Sequence, residues 1–413
     1  MLNADEAFRQ VMTWCHALPT AERSLEESLG AILAEDVLAD QDLPPFDKAL
    51  VDGYALSSVD AGNGLRDFNV SQTIRAGKFP TDELITGQTA RIMTGAPLPQ
   101  GADSVIMWEH VETVNNDLIR LPVERLIKAG QNVLARGREI SEGQVVLPKS
   151  LRLNGAAIGV LGSVGRSRVK IVPQPRIRIV PTGDELVEID QQPGPAQIRN
   201  SNAYVLRSLI EQAGGLPEVL PIAKDDPESL SESLSAGLYA DILIVTGGVS
   251  AGEADLVPDT LASLGVEPVF HKIRLKPGKP LWFGVRHSAE ELGQKPVRKV
   301  LVFGLPGNPV SVIVNFLLFV KPAIMALRGI STDPVAHRTV PLAEAVENRD
   351  ERPSYIPARL ARRHDRIAAE PVNWAGSNDL RGAALADGFI LIPSGPCRLA
   401  AGSSVSFLPL LPS

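Results

Sequence analysis

Three times in this sequence a short apolar run stops at a glycine turn flanked by polar groups. Residues 241–255 read DILIVTGGVSAGEAD. Ile242-Leu243-Ile244-Val245 is continuous and mostly β-branched, which predicts a strand buried on both faces, as in a parallel sheet. Thr246, Gly247 and Gly248 follow, and paired glycines let a backbone turn sharply and approach a ligand closely. Ser250, Glu253 and Asp255 are the polar side chains before the next apolar run, 256–264, which is predicted helical. Residues 176–180 run in the same way into Pro181-Thr182-Gly183-Asp184-Glu185, and 299–303 into Gly304-Leu305-Pro306-Gly307-Asn308-Pro309 before a helix. Ligands of open α/β sheets bind outside the carboxyl ends of the strands. The three ends therefore predict one site, built from Thr182, Gly183, Glu185, Gly247, Gly248, Ser250, Asp255, Pro306, Gly307 and Asn308.

At 413 residues the chain is too long for one ordinary domain and predicts two to four. Its 44% hydrophobic and 22% charged content is that of a soluble globular protein. A net charge of −7 and 5% aromatics argue against nucleic acid as a partner, so any anionic ligand needs local cations. Two cysteines, Cys15 and Cys397, without a CxxC, argue against zinc or a disulfide framework. The start is polar and no signal peptide is expected. The apolar run 310–320 is shorter than the ~20 residues of a membrane span. With Lys321-Pro322 expected to end it, it is predicted to be a buried helix, and a cytoplasmic protein follows by elimination.

The sequence pattern predicts a multidomain α/β protein. A linking domain takes residues 1–47 and 141–175, and is discontinuous. It begins with a helix capped by Asn3 and Glu6, with a second capping-box pattern at Ser24 and Glu27. Residues 48–140 form a small, mainly β domain with a hairpin turn at Asn115-Asn116-Asp117. Residues 176–330 form a central three-layer α/β domain with a parallel-type sheet. Residues 331–413 form a C-terminal β-barrel-like domain.

Residues 271–280, HKIRLKPGKP, place four cations within eight residues of an acidic chain. Lys276 and Lys279 bracket a Pro-Gly turn and are predicted to form an anion clamp, each ammonium being a point charge with three donors. A carboxylate beside bound phosphate needs a metal, and Glu185 and Asp255 are placed to share Mg²⁺. Asp225-Asp226 starts a helix on the same side or simply caps it. Walker and dinucleotide fingerprints are absent. Residues 248–252 also match the G-x-S-x-G nucleophile elbow. That pattern makes a serine hydrolase using Ser250 a rival reading, with Asp259 or Asp365 and His271, His287, His337 or His364 as partners.

Together these stretches resemble the molybdopterin molybdenumtransferase family, called MoeA in bacteria and the E-domain of gephyrin in animals. The resemblance is carried by Pro44-Pro45-Phe46-Asp47-Lys48, Asp52-Gly53-Tyr54-Ala55, Ile92-Met93-Thr94-Gly95-Ala96-Pro97, Gly101-Ala102-Asp103 and Pro181-Thr182-Gly183-Asp184-Glu185-Leu186. Asn200-Ser201-Asn202, residues 246–255, Lys276-Pro277-Gly278-Lys279-Pro280 and residues 304–311 complete it, in the family's order. The resemblance implies insertion of molybdate into the dithiolene of adenylylated molybdopterin, with Mg²⁺ present and AMP released. It implies a homodimer in which Asp52, Thr94 and Glu139 face the other chain's Glu185, Asp225, Asp255, Lys276 and Lys279. It also implies supply of substrate by the upstream molybdopterin adenylyltransferase, and an anion contact at Ser377. A non-catalytic scaffold of the same fold is the alternative within the family. Three positions depart from the family pattern: Ala49 replaces a serine, Val51 a methionine and Glu139 an aspartate. The arginine that would hold molybdate is not fixed by the pattern, Arg352 and Arg359 both lying near Tyr355.

Overall fold

A computed structural model describes residues 1–249, 256–287, 299–330, 337–363 and 366–410. The chain forms two compact units, residues 22–171 and residues 1–21 with 172–413.

The first unit holds a six-stranded sheet in the order Ser104–Met107, Gly53–Leu56, Gln88–Ile92, Asp67–Ile74, Leu118–Arg120, Glu112–Asn115. Its pairs are antiparallel except the parallel pair of Asp67–Ile74 with Gln88–Ile92. The Asn115-Asn116-Asp117 turn joins two of these strands, the Asp117 amide donating to the Asn115 side chain at 2.9 Å. Short antiparallel ladders pair Val37–Leu38 with Val145–Leu147 and Lys48–Ala49 with Val133–Leu134, so the chain leaves and returns along one ribbon. Ala49 is buried in a small apolar cluster and Val51, partly buried, packs against that cluster, so both departures from the family pattern bear on a core. The capping pattern at Ser24 and Glu27 starts no helix. Ala21–Ser24 is a strand of a three-stranded sheet, and the Ser24 carbonyl accepts from the Ser28 hydroxyl in the turn that follows.

The second unit is built on a six-stranded sheet in the order Leu216–Val219, Arg176–Pro181, Ile242–Thr246, Lys299–Leu305, Trp282–His287, Val266–His271. The first four strands are parallel. The last two form an antiparallel edge, so the sheet is mixed, and the basic stretch 272–281 is the connection between those edge strands. Strand Ile242–Thr246 is buried at all five positions. Ile242 and Ile244 pack in one cluster with the helices Ser201–Ala213 and Pro309–Asn315, while Leu243 and Val245 pack in another with Pro227–Gly237 and Val257–Ser263. A two-residue side-chain period thus gives the central strands two dry faces and the domain three layers.

The longest apolar helix does not stop at Lys321-Pro322. It runs from Pro309 to Leu327 through one wide turn at Phe316–Val320, where the Lys321 amide donates to the Phe316 carbonyl five residues back. The wide turn places Pro322 at the start of a fresh helical segment, where its missing N–H costs nothing. At 19 residues the helix is long and apolar enough to cross a membrane, yet 83% of its most apolar window is buried inside the protein. The helix Ala4–Trp14, capped by Asn3 and Glu6 as expected, buries Ala7 and Val11 in this same core, and so belongs with the α/β unit rather than with the linking ribbon. Beyond it, Arg338–Pro341, Ser404–Pro409, Gly388–Ile392, Ser354–Arg363 and Arg366–Pro371 form an antiparallel sheet. A bridge from Leu342 to Ala369 brings its two edges together, as in a barrel.

Candidate functional site

The sheet register aligns the glycine turns. Pro181 lies opposite Thr246, and Thr246 opposite Leu305. Beyond these rows the Thr182 amide donates to the Thr246 carbonyl at 2.9 Å, and the Gly247 amide to the Leu305 carbonyl at 3.1 Å. Gly247 and Gly248 both have positive φ, +94° and +60°. A Cβ at Gly247 would meet the Thr182 carbonyl, and one at Gly248 would lie 2.7 Å from the Val257 side chain. These two positions therefore require glycine on both counts.

A cavity of about 490 Å³ opens at this end of the sheet. Thr182, Glu185, Gly247, Gly307 and Asn308, all expected from the sequence, line it. Pro306 is buried at the foot of the third turn. Gly183 lies under Glu185, whose carboxylate occupies the place a side chain at 183 would take. Glu185 is exposed and forms no ion pair among the described residues. Asp225 belongs to the same end: the Gly183 amide donates to the Ala223 carbonyl, and the Asp225 amide reaches Asp184 Oδ1 at 3.3 Å. Asp226 caps helix Pro227–Gly237 by accepting from the Ser229 amide at 2.9 Å. Ser250 and Asp255 lie outside the described residues.

Asn200, Ser201, Asn202, Thr246 and Asn378 also line the cavity, although the sequence reading assigned them no role. The first three were visible as an Asn-Ser-Asn motif before a helix, but nothing in the pattern says that this helix start meets the third glycine turn. Asn200 is buried and caps helix Ser201–Ala213, and Asn202 Nδ2 donates to the Gly307 carbonyl at 2.7 Å. Asn202 Oδ1 is buried without a partner among the described residues. Asn308 precedes helix Pro309–Asn315; its Nδ2 donates to Ser377 Oγ at 3.0 Å, and the Ser377 carbonyl accepts from Val310 N. Two helix starts thus open on one cavity, where the positive ends of the helix dipoles favour anions.

The lysines lie elsewhere. Lys276 lines a second cleft of about 460 Å³ with Asp350, Tyr355 and Trp374, and Lys279 is exposed and lines neither cavity. Lys276 thus lines a different cleft from the strand-end turns, and its own turn docks on the C-terminal sheet. Lys276 N donates to the Pro353 carbonyl at 3.0 Å, and Tyr355 N to the Lys276 carbonyl at 2.7 Å. Lys276 Nζ is 3.2 Å from Asp350, which also accepts from Arg352 Nε at 2.9 Å and Nη2 at 3.0 Å. The Arg352 guanidinium, more than any other group, holds the Asp350 carboxyl well below the usual carboxylate range. Trp374 of the second cleft and Asn378 of the first come from one short loop.

In the first unit, Asp52 accepts from Thr94 N at 2.7 Å and Thr94 Oγ1 at 2.9 Å, and these bonds, the backbone one foremost, lower its pKa. Glu139 lies 3.8 Å from Lys48, an exposed and weak pair. Of the histidines in the rival hydrolase reading, His271 has its Nε2 3.0 Å from the Val249 carbonyl, and His337 lies 3.1 Å from the Tyr355 hydroxyl.

Family models match nearly end to end: "MoeA N-terminal region (domain I and II)" over residues 2–165, "Probable molybdopterin binding domain" over 178–326, and "MoeA C-terminal region (domain IV)" over 339–410. A molybdopterin molybdenumtransferase of Staphylococcus aureus strain Mu50 is 36% identical over 331 residues, 78% of this chain and 75% of its own. One of Bacillus subtilis strain 168 is 32% identical over 98% of this chain and 93% of its own. Among solved structures, a molybdopterin biosynthesis MoeA protein of Pyrococcus horikoshii superposes with a TM-score of 0.84 at 30% identity, covering all of both chains.

Proposed function

Because this chain belongs to the molybdopterin molybdenumtransferase family, enzymes of molybdenum cofactor biosynthesis, we propose that its two clefts divide the two anionic reactants between them. The first cavity takes adenylylated molybdopterin and the lysine cleft takes molybdate. Molybdate then enters the dithiolene as AMP leaves. The observation that carries this reading is the convergence of three strand-end turns and two helix starts on one 490 Å³ cavity with a carboxylate at its edge.

Each part has a chemical use. The helix starts, with the positive ends of their dipoles, suit phosphate oxygens, whose charge develops further as the anhydride breaks. Asn202 Oδ1, buried and unpartnered among the described residues, suits an N–H of the pterin. Glu185 fits Mg²⁺, a hard cation that takes one or two carboxylates together with phosphate oxygens; Asp255 would be the second. Mg²⁺ bound there would neutralise phosphate charge during cleavage. Asp225, at the same end of the sheet, is a further carboxylate for this role. Lys276 lines the molybdate cleft and supplies a cation there, with Lys279 of the same turn as the second, while Ser377 meets the first cavity through Asn308. On the family resemblance the enzyme is a homodimer, Asp52, Thr94 and Glu139 of one chain completing the other chain's site. Its substrate would come from a molybdopterin adenylyltransferase.

The test is AMP release from adenylylated molybdopterin with Mg²⁺ and molybdate each present or withheld. Wild type is expected to need both. Glu185→Gln is expected to retain the nucleotide but to lose turnover by a hundredfold or more, as loss of a metal ligand allows on the order of 2.7 kcal/mol or above. Turnover by Glu185→Gln at the wild-type rate would overturn the metal assignment, and AMP release indifferent to molybdate would overturn the reaction.

A further inference from the structure

We propose that Asn315, in the core helix, is the positioning residue that fixes the lysine turn 276–279; this rests on reading Lys276 and Lys279 as the molybdate contacts. Asn315 is fully buried, flanked in sequence by Val314 and Phe316, which are buried with it. A carboxamide is unfavourable in such surroundings unless it is hydrogen-bonded, and an apolar side chain would fill the space at less cost. Its partner is the lysine turn. Nδ2 donates to the Gly278 carbonyl at 3.2 Å. Oδ1 has no partner among the described residues, and it faces the same turn: a Cβ placed on Gly278 would lie 2.6 Å from it. Gly278 has a φ of +114°, so the carboxamide fills the space that glycine leaves.

The turn is thus gripped from two sides. Asn315 holds Gly278 from the helix, while Pro353 and Tyr355 hold the Lys276 backbone from the C-terminal sheet. The Lys279 carbonyl accepts from both Ile273 N and Leu281 N at 3.0 Å. Pro277 and Gly278 are buried while Lys276 and Lys279 are exposed, so the grip fixes the backbone of the turn and presents both lysine side chains at the surface. Fixed Cα positions set the spacing of the two ammonium groups, and a preorganised pair binds an oxyanion with less ordering cost. Loss of the grip weakens molybdate binding and leaves the strand-end chemistry intact.

The measurement is the KM for molybdate and the kcat of AMP release by Asn315→Leu, alone and in a Lys279→Ala background. Asn315→Leu is expected to raise the KM about threefold to tenfold, the range one neutral hydrogen bond allows. Its kcat is expected to stay within about twofold, and its KM effect to vanish in the Lys279→Ala background, as coupled residues require. An unchanged KM overturns the proposal. So does an equal loss of kcat in both backgrounds, which marks a packing role. Should Asn315→Leu fail to fold, Asn315→Ser is read against the same outcomes. If Lys276→Ala and Lys279→Ala leave the KM unchanged, the reading of the lysines fails, and this proposal with it. If they raise it and Asn315→Leu does not, only the role of Asn315 fails.

Discussion

At Asp350 one carboxylate accepts from two cationic side chains, the Arg352 guanidinium at 2.9 and 3.0 Å and the Lys276 ammonium at 3.2 Å. Its pKa is lowered on folding, so its contribution to stability is present above the unfolded value of about 4 and is lost as pH falls below it. Asp350→Asn is expected to cost on the order of 1–2 kcal/mol at pH 7. In thermal melts its gap from wild type should begin to narrow as pH falls from 4 towards 3, the rest being lost only as pH falls through the lower folded value; a gap constant from pH 7 to pH 3 would show that the charge contributes nothing. The sequence made the cations of HKIRLKPGKP legible because they are neighbours in the chain. It hid Asp350, which reaches Lys276 only through the docking of the turn on Pro353 and Tyr355. The strand-end residues were legible for the opposite reason: Thr182, Gly247 and Asn308 each follow directly from an apolar run, and the parallel register does the rest. Asn202 could be seen only as part of a motif, since its contact with Gly307 depends on how a helix packs.

Elements show the same divide between local and packed information. Buried strands, the capped first helix and the helices after the second and third glycine turns follow from periods of two and 3.6 residues. The path of the core helix through Lys321-Pro322 does not, because a wide turn absorbs the proline and no residue type signals such a turn. Nor does the antiparallel edge of the central sheet, since a strand buried on both faces reads alike in either direction. The core helix joins the packing of the first helix, the sheet and the C-terminal sheet. Phe319, fully buried at its wide turn, is accordingly expected to cost about 3–5 kcal/mol when cut to alanine. Urea unfolding followed by circular dichroism checks this, and a loss below about 1 kcal/mol would show that the turn repacks.

For the whole molecule, the reading of a cleft shared between two chains fixes an expected mass. Sedimentation at micromolar concentration should give about twice the 44.2 kDa of the chain, and a fully active monomer would remove Asp52, Thr94 and Glu139 from the site. The order in which the parts are made also matters. The helix Ala4–Trp14 leaves the ribosome well before the residues that cover it, since Ala7 and Val11 pack in a core that includes Phe319, Ala323 and Ile324. At about 5–20 residues per second, roughly 300 residues of further synthesis take about 15–60 seconds. For that time this helix displays an uncovered apolar stripe, available to a chaperone at the tunnel exit, while residues 22–171 can already close upon themselves as a unit.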